Sequence, residues 1–272
     1  MHHFLGMNIV YLCQTTFLTP FALRYFLKLA YNGTAYHGWQ VQPGTATVQE
    51  VLEKSMGLLL RKKTDVVGAG RTDTGVHASE YFAHFDSEET LGHEFVFKLN
   101  SLLPKDIAVY DIYQMTDGAH ARFDALSRTY AYTVTTQKDP FLLDKAYYSW
   151  GKLDISQMNK AAKILRTYQD FEAFSKTNTD VNNYLCRIDE ANWSREEGLY
   201  IFKITANRFL RNMVRAVVGT MLDIGRGKQT PESLHEIIQG RNRSNAGASA
   251  PAQGLSLIKI SYPEAIFRSQ KI

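Results

Sequence analysis

The chain has 272 residues, 44% hydrophobic and 21% charged. This is an ordinary globular composition that excludes a disordered polypeptide, at a length above the roughly 100–200 residues of one domain. Lys plus Arg total 31 against 27 for Asp plus Glu, a net charge of +4, which permits a polyanionic partner without requiring one. Cys13 and Cys186 stand far apart with no CxxC pair, which disfavours a zinc ribbon, a disulfide scaffold or a thioredoxin-like centre and suits a reducing, cytoplasmic setting.

Residues 1–23 are apolar but broken by Asn8, Gln14, Thr15, Thr16, Thr19 and Pro20, with no basic start and no A-x-A site. They read as an extension outside the core, neither a signal peptide nor a membrane span. From Arg24, Tyr25, Leu27, Leu29 and Tyr31 alternate along a strand that stops at Asn32-Gly33. Thr47 and Glu50 have capping-box spacing before a helical face of Val48, Val51, Leu52, Met56 and Leu59, closed by Arg61-Lys62-Lys63. Short strands are predicted at Asp65–Val67 and Tyr81–Phe85, a helix from Gly92 to Leu103 ahead of Pro104, and a strand at Ile107–Tyr113. The first half therefore reads β-α-β-β-α-β.

A long strand at Thr129–Thr135 opens the second half, followed by a helix capped by Asp154 and a hairpin of Ile188–Trp193 with Leu199–Ala206 around Glu197-Gly198. A helix from Phe209 to Ile224, a short helix with Thr230 as cap and Pro231 at its first position, and a strand at Leu255–Ile260 complete it. The expected class is α+β. It has two similar halves (24–120 and 121–272), each a mostly antiparallel sheet with helices on one face, and an active-site cleft between them.

Three clusters carry chemistry. Gly68-Ala69-Gly70-Arg71-Thr72-Asp73-Thr74-Gly75-Val76-His77 surrounds one arginine and one aspartate with glycines. Asp73 replaces the third glycine of GxGxxG and no GK[ST] follows, so the Rossmann and P-loop readings fail. The same residues also fit a structural turn in which Asp73 caps amides. The segment 120–130 brings Arg122, Arg128 and Tyr130 together, the mixture of cations and aromatics used on single-stranded nucleic acid; by itself Tyr130 also fits a core position. In the third cluster, Arg208, Arg211 and Arg215 align along one side of the predicted 209–224 helix. Cations near a helix N-terminus oppose its dipole, so they suit an anionic partner; a solvated basic face is the alternative.

With AYNGTAYHGWQ at Ala30–Gln40, FLRNMVRAVVG at Phe209–Gly219 and APAQGLSL at Ala250–Leu257, these clusters resemble the tRNA pseudouridine synthase A family over nearly the whole chain from Arg24 to Tyr262. The resemblance implies isomerisation of uridine at positions 38, 39 and 40 of the tRNA anticodon stem-loop by a homodimer, with no metal or other cofactor. It also implies Asp73 as the catalytic aspartate, attacking C6 of the base or C1′ of the ribose, with Arg215 beside it favouring its ionised form. Tyr130 would stack on the uracil, and Arg71, Arg122, Arg128, Arg208 and Arg211 would contact the RNA. A non-catalytic RNA-binding protein leaves Asp73 without a purpose, a zinc deaminase lacks its H-x-E and P-C-x-x-C motifs, and a glycosidase using Asp73 and Asp124 leaves the arginine clusters unexplained.

Overall fold

The computed structural model describes residues 22–177 and 183–268. Within them, nine strands form one open, mostly antiparallel sheet, accompanied by five α-helices. In the first half β1 (Leu23–Tyr31) is followed by α1 (Val48–Leu60), β2 (Val67–Gly68), β3 (His77–Ser87), α2 (Glu94–Leu102) and β4 (Ile107–Gln114), the predicted order. The stretch read as an extension lies outside the described residues except for Ala22 and Leu23, and Leu23 opens β1 by pairing with Ser87. Thr47 accepts from the Glu50 amide to cap α1, and the Glu50 carboxylate turns to Lys54 instead of completing a capping box.

The two faces of β1 bury different residues, as the period of two requires. Tyr25 stacks on Phe85, which stacks on Phe95 of α2, so this face meets the helices. Phe26, on the other face, meets His84, Tyr262 and Phe267 in an aromatic cluster.

The second half runs β5 (Ser127–Thr135), β6 (Tyr147–Tyr148), α3 (Ile155–Leu165), β7 (Ile188–Glu196), β8 (Leu199–Ala206), α4 (Met213–Gly225), α5 (Ser233–Gly240) and β9 (Leu255–Ser261). Asp154 caps α3 by accepting from the amides of Ser156 and Gln157. The β7–β8 turn places Glu197 and Gly198 at φ 49° and 84°, the left-handed pair that matches hairpin twist. The short β6, which pairs parallel to β5, has no counterpart in the sequence reading. Pro231 and Glu232 form a turn ahead of α5, so that helix starts two residues later than its predicted first position.

The separate sheets expected for the two halves are one sheet, of order β4-β1-β3-β9-β5-β8-β7. In each half the first strand is central, with β1 flanked by β3 and β4 and β5 flanked by β8 and β9. β9 joins the halves: it runs antiparallel to β5 and parallel to β3, where His77 pairs with Ser256 and Ala78 with Leu257. At the same seam the Glu80 carboxylate accepts from the Ile260 amide and pairs with Lys28. Two hydrophobic clusters flank the seam, one built on β1, β3, β4, α1 and α2, the other on β5, β7, β8, α3 and α4, and Tyr130 packs against both. No helix among the described residues is long and apolar enough to cross a membrane.

Candidate active site

The loop from Ala69 to Val76 leaves β2 and enters β3 at the β3–β9 seam. It is pinned from several sides. The Tyr31 hydroxyl lies 2.9 Å from Thr72 Oγ1, Tyr81 donates to the Gly70 carbonyl, and the Trp39 amide donates to Thr72 O. His77 closes the loop: its Nδ1 accepts from the Gly33 amide at 3.0 Å and its Nε2 faces the Gln253 carbonyl at 3.1 Å. Nε2 therefore carries the proton, and burial holds the His77 pKa below the ordinary imidazole value. The loop's glycines are not interchangeable in purpose. Gly75 has φ +76°, a left-handed turn position, whereas a Cβ on Gly68 would collide with Trp39 and Tyr81.

Asp73, with 27% of its side chain exposed, faces two arginines: Arg211 Nε lies 3.9 Å from Oδ1 and Arg215 Nη1 3.9 Å from Oδ2. These separations are those of charge neighbours, longer than hydrogen bonds. Arg215 belongs to α4, all of whose residues except Arg215 and Asp223 are buried. Its Nε donates to the Ala250 carbonyl at 2.7 Å, and the Ala250 amide donates back to the Arg215 carbonyl. A solvated basic face does not describe it.

The predicted helix from Phe209 begins only at Met213, because Asn212 takes a left-handed conformation at φ 66°. Arg208 and Arg211 therefore lie in the preceding turn, and the three arginines do not share a helix side. Arg208 Nη1 bonds Asn183 Oδ1 at 3.2 Å, while the turn brings Arg211 to Asp73. The cation-versus-dipole argument applies to Arg215 alone, in the first turn of α4.

Tyr130 on β5 pairs with Ile204 and Leu257 and meets the Phe209 ring edge-on, centroids 5.2 Å apart. Burial, and secondarily the charge of Asp73, push its pKa up to about 12, so the hydroxyl stays protonated at neutral pH.

Arg128 differs from the other arginines. Its Nη1 donates to Ala125 O at 2.9 Å and Asn207 O at 3.1 Å, and its Nη2 to Ala69 O at 3.0 Å and Arg122 O at 2.6 Å. Burial pulls its pKa below the ordinary guanidinium value. It thus ties together one carbonyl or more from each of the three motif clusters, with its donors directed at the protein. Arg71 and Arg122 are exposed.

Five residues that hold this arrangement are read in the sequence only as parts of strands or motifs, with no role at the site: Tyr31, Trp39, Tyr81, His77 and Ala250. Each belongs to, or follows directly from, the periodic strands and motifs that the sequence shows, but their partners lie 11 to 176 residues away in hydrogen bonds such as Tyr81 to Gly70 and His77 to Gln253.

A family model described as tRNA pseudouridine synthase matches residues 161–263. The tRNA pseudouridine synthase A of Bacteroides thetaiotaomicron is 51% identical over 251 residues, 91% of this chain and 93% of that protein. That of Parabacteroides distasonis is also 51% identical, over 90% of this chain and 98% of its own length. That of Bacillus subtilis is 38% identical over 88% and 99%. With likeness of this extent spanning both halves of the sheet, the chain belongs to the tRNA pseudouridine synthase A family, isomerases that convert uridine to pseudouridine in tRNA.

Proposed function

We propose that this chain isomerises uridine at positions 38, 39 and 40 of the tRNA anticodon stem-loop, in the cytoplasm and as a homodimer, with Asp73 as nucleophile. The observation that carries the reading is the placement of one carboxylate between Arg211 and Arg215 at the seam of the sheet, with Tyr130 on the adjoining strand. The halves 24–120 and 121–272 would then form the two walls of the RNA cleft.

The chemistry follows from this set. A uridine must leave its stack, at a cost of roughly a few kcal/mol, and Tyr130 offers a ring against which it settles. The N1–C1′ bond breaks and the uracil turns. C5 then joins C1′, losing its proton as N1 gains one, so the reaction is an isomerisation without a redox change. Asp73 adds to C1′ as the N1–C1′ bond breaks, or to C6 of the ring before it breaks; the covalent intermediate splits the exchange into two smaller steps, and the Asp73 bond is broken again as C5 joins C1′ or afterwards. Arg211 and Arg215, each 3.9 Å from the carboxylate, orient it by charge while the base excludes water. Arg71, Arg122, Arg208 and Arg211 supply cations for the RNA backbone. Arg128, expected to join them, is better read as a clamp for the Asp73 loop.

Carbodiimide mapping of pseudouridine in tRNA transcripts tests the assignment. Wild type is expected to mark the anticodon stem-loop, and Asp73→Asn to lower single-turnover rate by at least about 10³-fold while still binding tRNA. Normal turnover by Asp73→Asn would remove Asp73 as nucleophile, and marks confined to another part of the tRNA would move the substrate site.

A further inference from the structure

The loop from Ala119 to Leu126 is held from every side. Arg24 donates to Ala119 O, the Ala121 amide donates to His84 Nδ1, Tyr262 donates to Ala121 O, and Arg128 donates to the carbonyls of Arg122 and Ala125. Within the loop, the His120 amide donates to the Asp124 carboxylate, and His120 Nδ1 accepts from the amides of Arg122 and Phe123. A loop fixed in this way has a single conformation to offer, and what it offers is an aromatic ring that its own core does not use. Phe123 is 73% exposed. The His120 ring lies beside it with centroids 4.2 Å apart and planes 34° apart, and the Arg122 guanidinium carbon lies 5.5 Å from the ring centroid.

The surroundings favour one kind of occupant. An open cleft of about 440 Å³ runs from Phe123 past Leu126 to Pro263 and Ile266. Two carboxylates also line it, each already engaged: Asp124 with the His120 amide and Asp117 with Arg268. Apolar walls and acidic oxygens suit a flat uncharged ring and repel a phosphate, while the exposed Arg122 at the edge suits the phosphate attached to it. The loop also adjoins the Asp73 loop. Arg128 Nη2 bonds both Ala69 O and Arg122 O, which places those carbonyls within about 6 Å of each other.

We propose that Phe123, with Arg122 beside it, is a stacking platform for an unpaired nucleobase of the substrate RNA, separate from the Asp73–Tyr130 pocket and next to it. The proposal rests on the tRNA reading above and adds a second anchor on the same strand of RNA. Stacking on a prearranged ring gives affinity without base identity, because every nucleobase has a π-face, and a base captured here would leave its neighbours unstacked close to Asp73.

The test uses the full chain, an unmodified tRNA transcript and the variants Phe123→Ala and Phe123→Trp. Phe123→Ala is expected to weaken tRNA binding at least about fivefold with the slope of log affinity against log salt unchanged. Its single-turnover rate at saturating tRNA should equal that of wild type, and Phe123→Trp should restore affinity. A cycle with abasic substitutions around the target uridine should show one position whose loss costs wild type and not Phe123→Ala, identifying the base. Wild-type affinity in Phe123→Ala, with normal pseudouridine formation, would overturn the platform and leave the tRNA reading intact. A change in sedimentation behaviour without a change in tRNA affinity would make Phe123 a protein contact and overturn it as well. Failure of wild type to bind or modify any tRNA would remove the reading and the platform together.

Discussion

The loop that carries Asp73 and the segment that carries Arg211 and Arg215 reach the same point by different physical means. The Asp73 loop has little apolar surface of its own and is fixed by polar pins, from Tyr31, Tyr81, His77 and Arg128. Arg215 is placed chiefly by the burial of α4, on which only it and Asp223 are unburied, with its hydrogen bonds to and from Ala250 orienting the side chain, and Arg211 is placed by the left-handed turn at Asn212 just ahead of it. Hydrogen bonds are directional and fall off steeply with geometry, whereas apolar burial is large and tolerant of small shifts. Placement of the carboxylate should therefore be the more fragile of the two, and the stability of α4 the more consequential for folding.

Arg128→Met should break this contrast most severely. It frees carbonyls from the Asp73 loop, the 122–125 turn and Asn207 at once, and the expected loss is about 4 kcal/mol of stability together with a fall in kcat on the order of 10²-fold. Chemical denaturation and single-turnover kinetics measure the two. If instead kcat holds and the salt slope of tRNA binding drops by about one, Arg128 is a phosphate ligand and the clamp is wrong.

Met221→Ala probes the other side. Met221 is fully buried on α4 with its sulfur 3.1 Å from Trp193 Nε1, and truncation should cost about 3 kcal/mol. Turnover below the melting transition should stay within about twofold. A large loss of kcat in the folded variant would show that core packing on α4, and not the polar pins alone, sets the site geometry.

The smallest effect concerns acid. His84 Nδ1 accepts from the Ala121 amide, and burial, then the charges of Arg24 and His120, lower its pKa from about 6.5 to about 4, with Asp86 and Asp124 opposing. A histidine depressed in the folded state takes up its proton more readily when unfolded. Its contribution is thus complete above pH 6.5 and lost as pH falls toward 4, amounting to about 2 kcal/mol by pH 5. His84→Gln should flatten that part of the stability profile; an unchanged profile would place the acid-sensitive group elsewhere.

Much of the fold was legible because it is local. The alternation at Tyr25–Tyr31, the Thr47 and Asp154 caps and the Glu197-Gly198 hairpin are each written within about a dozen residues, and each formed. The union of the two halves was not, since it depends on His77 meeting Ser256 and Ala78 meeting Leu257 across the chain, which no periodicity encodes. The late start of α4 was hidden by its helical apolar pattern, which continues back through Phe209 and Leu210, while the left-handed Asn212 interrupts it. For the site, the motifs named Asp73, Arg211 and Arg215, and folding brought these together. Charge alone gave Arg128 the same expectation as Arg122, and only burial and the four carbonyls around its guanidinium separate them.

The place of β9 also has a bearing on how the protein comes into being. It is the ninth strand in chain order and the fourth strand in from the β4 edge, so the strands on either side of it are synthesised and free to collapse before the strand that joins them leaves the ribosome. Until then the parts of β3 and β5 that β9 covers, beyond the short pairings with β2 and β6, stay open, the kind of edge that invites misassociation in nascent chains. Closure of the seam is a contact of high sequence separation and hence a slow one. Because the Asp73 loop is latched to the Gln253 carbonyl just ahead of β9, the same late event that protects those edges also completes the Asp73 loop, and activity during refolding should lag behind the burial of either core.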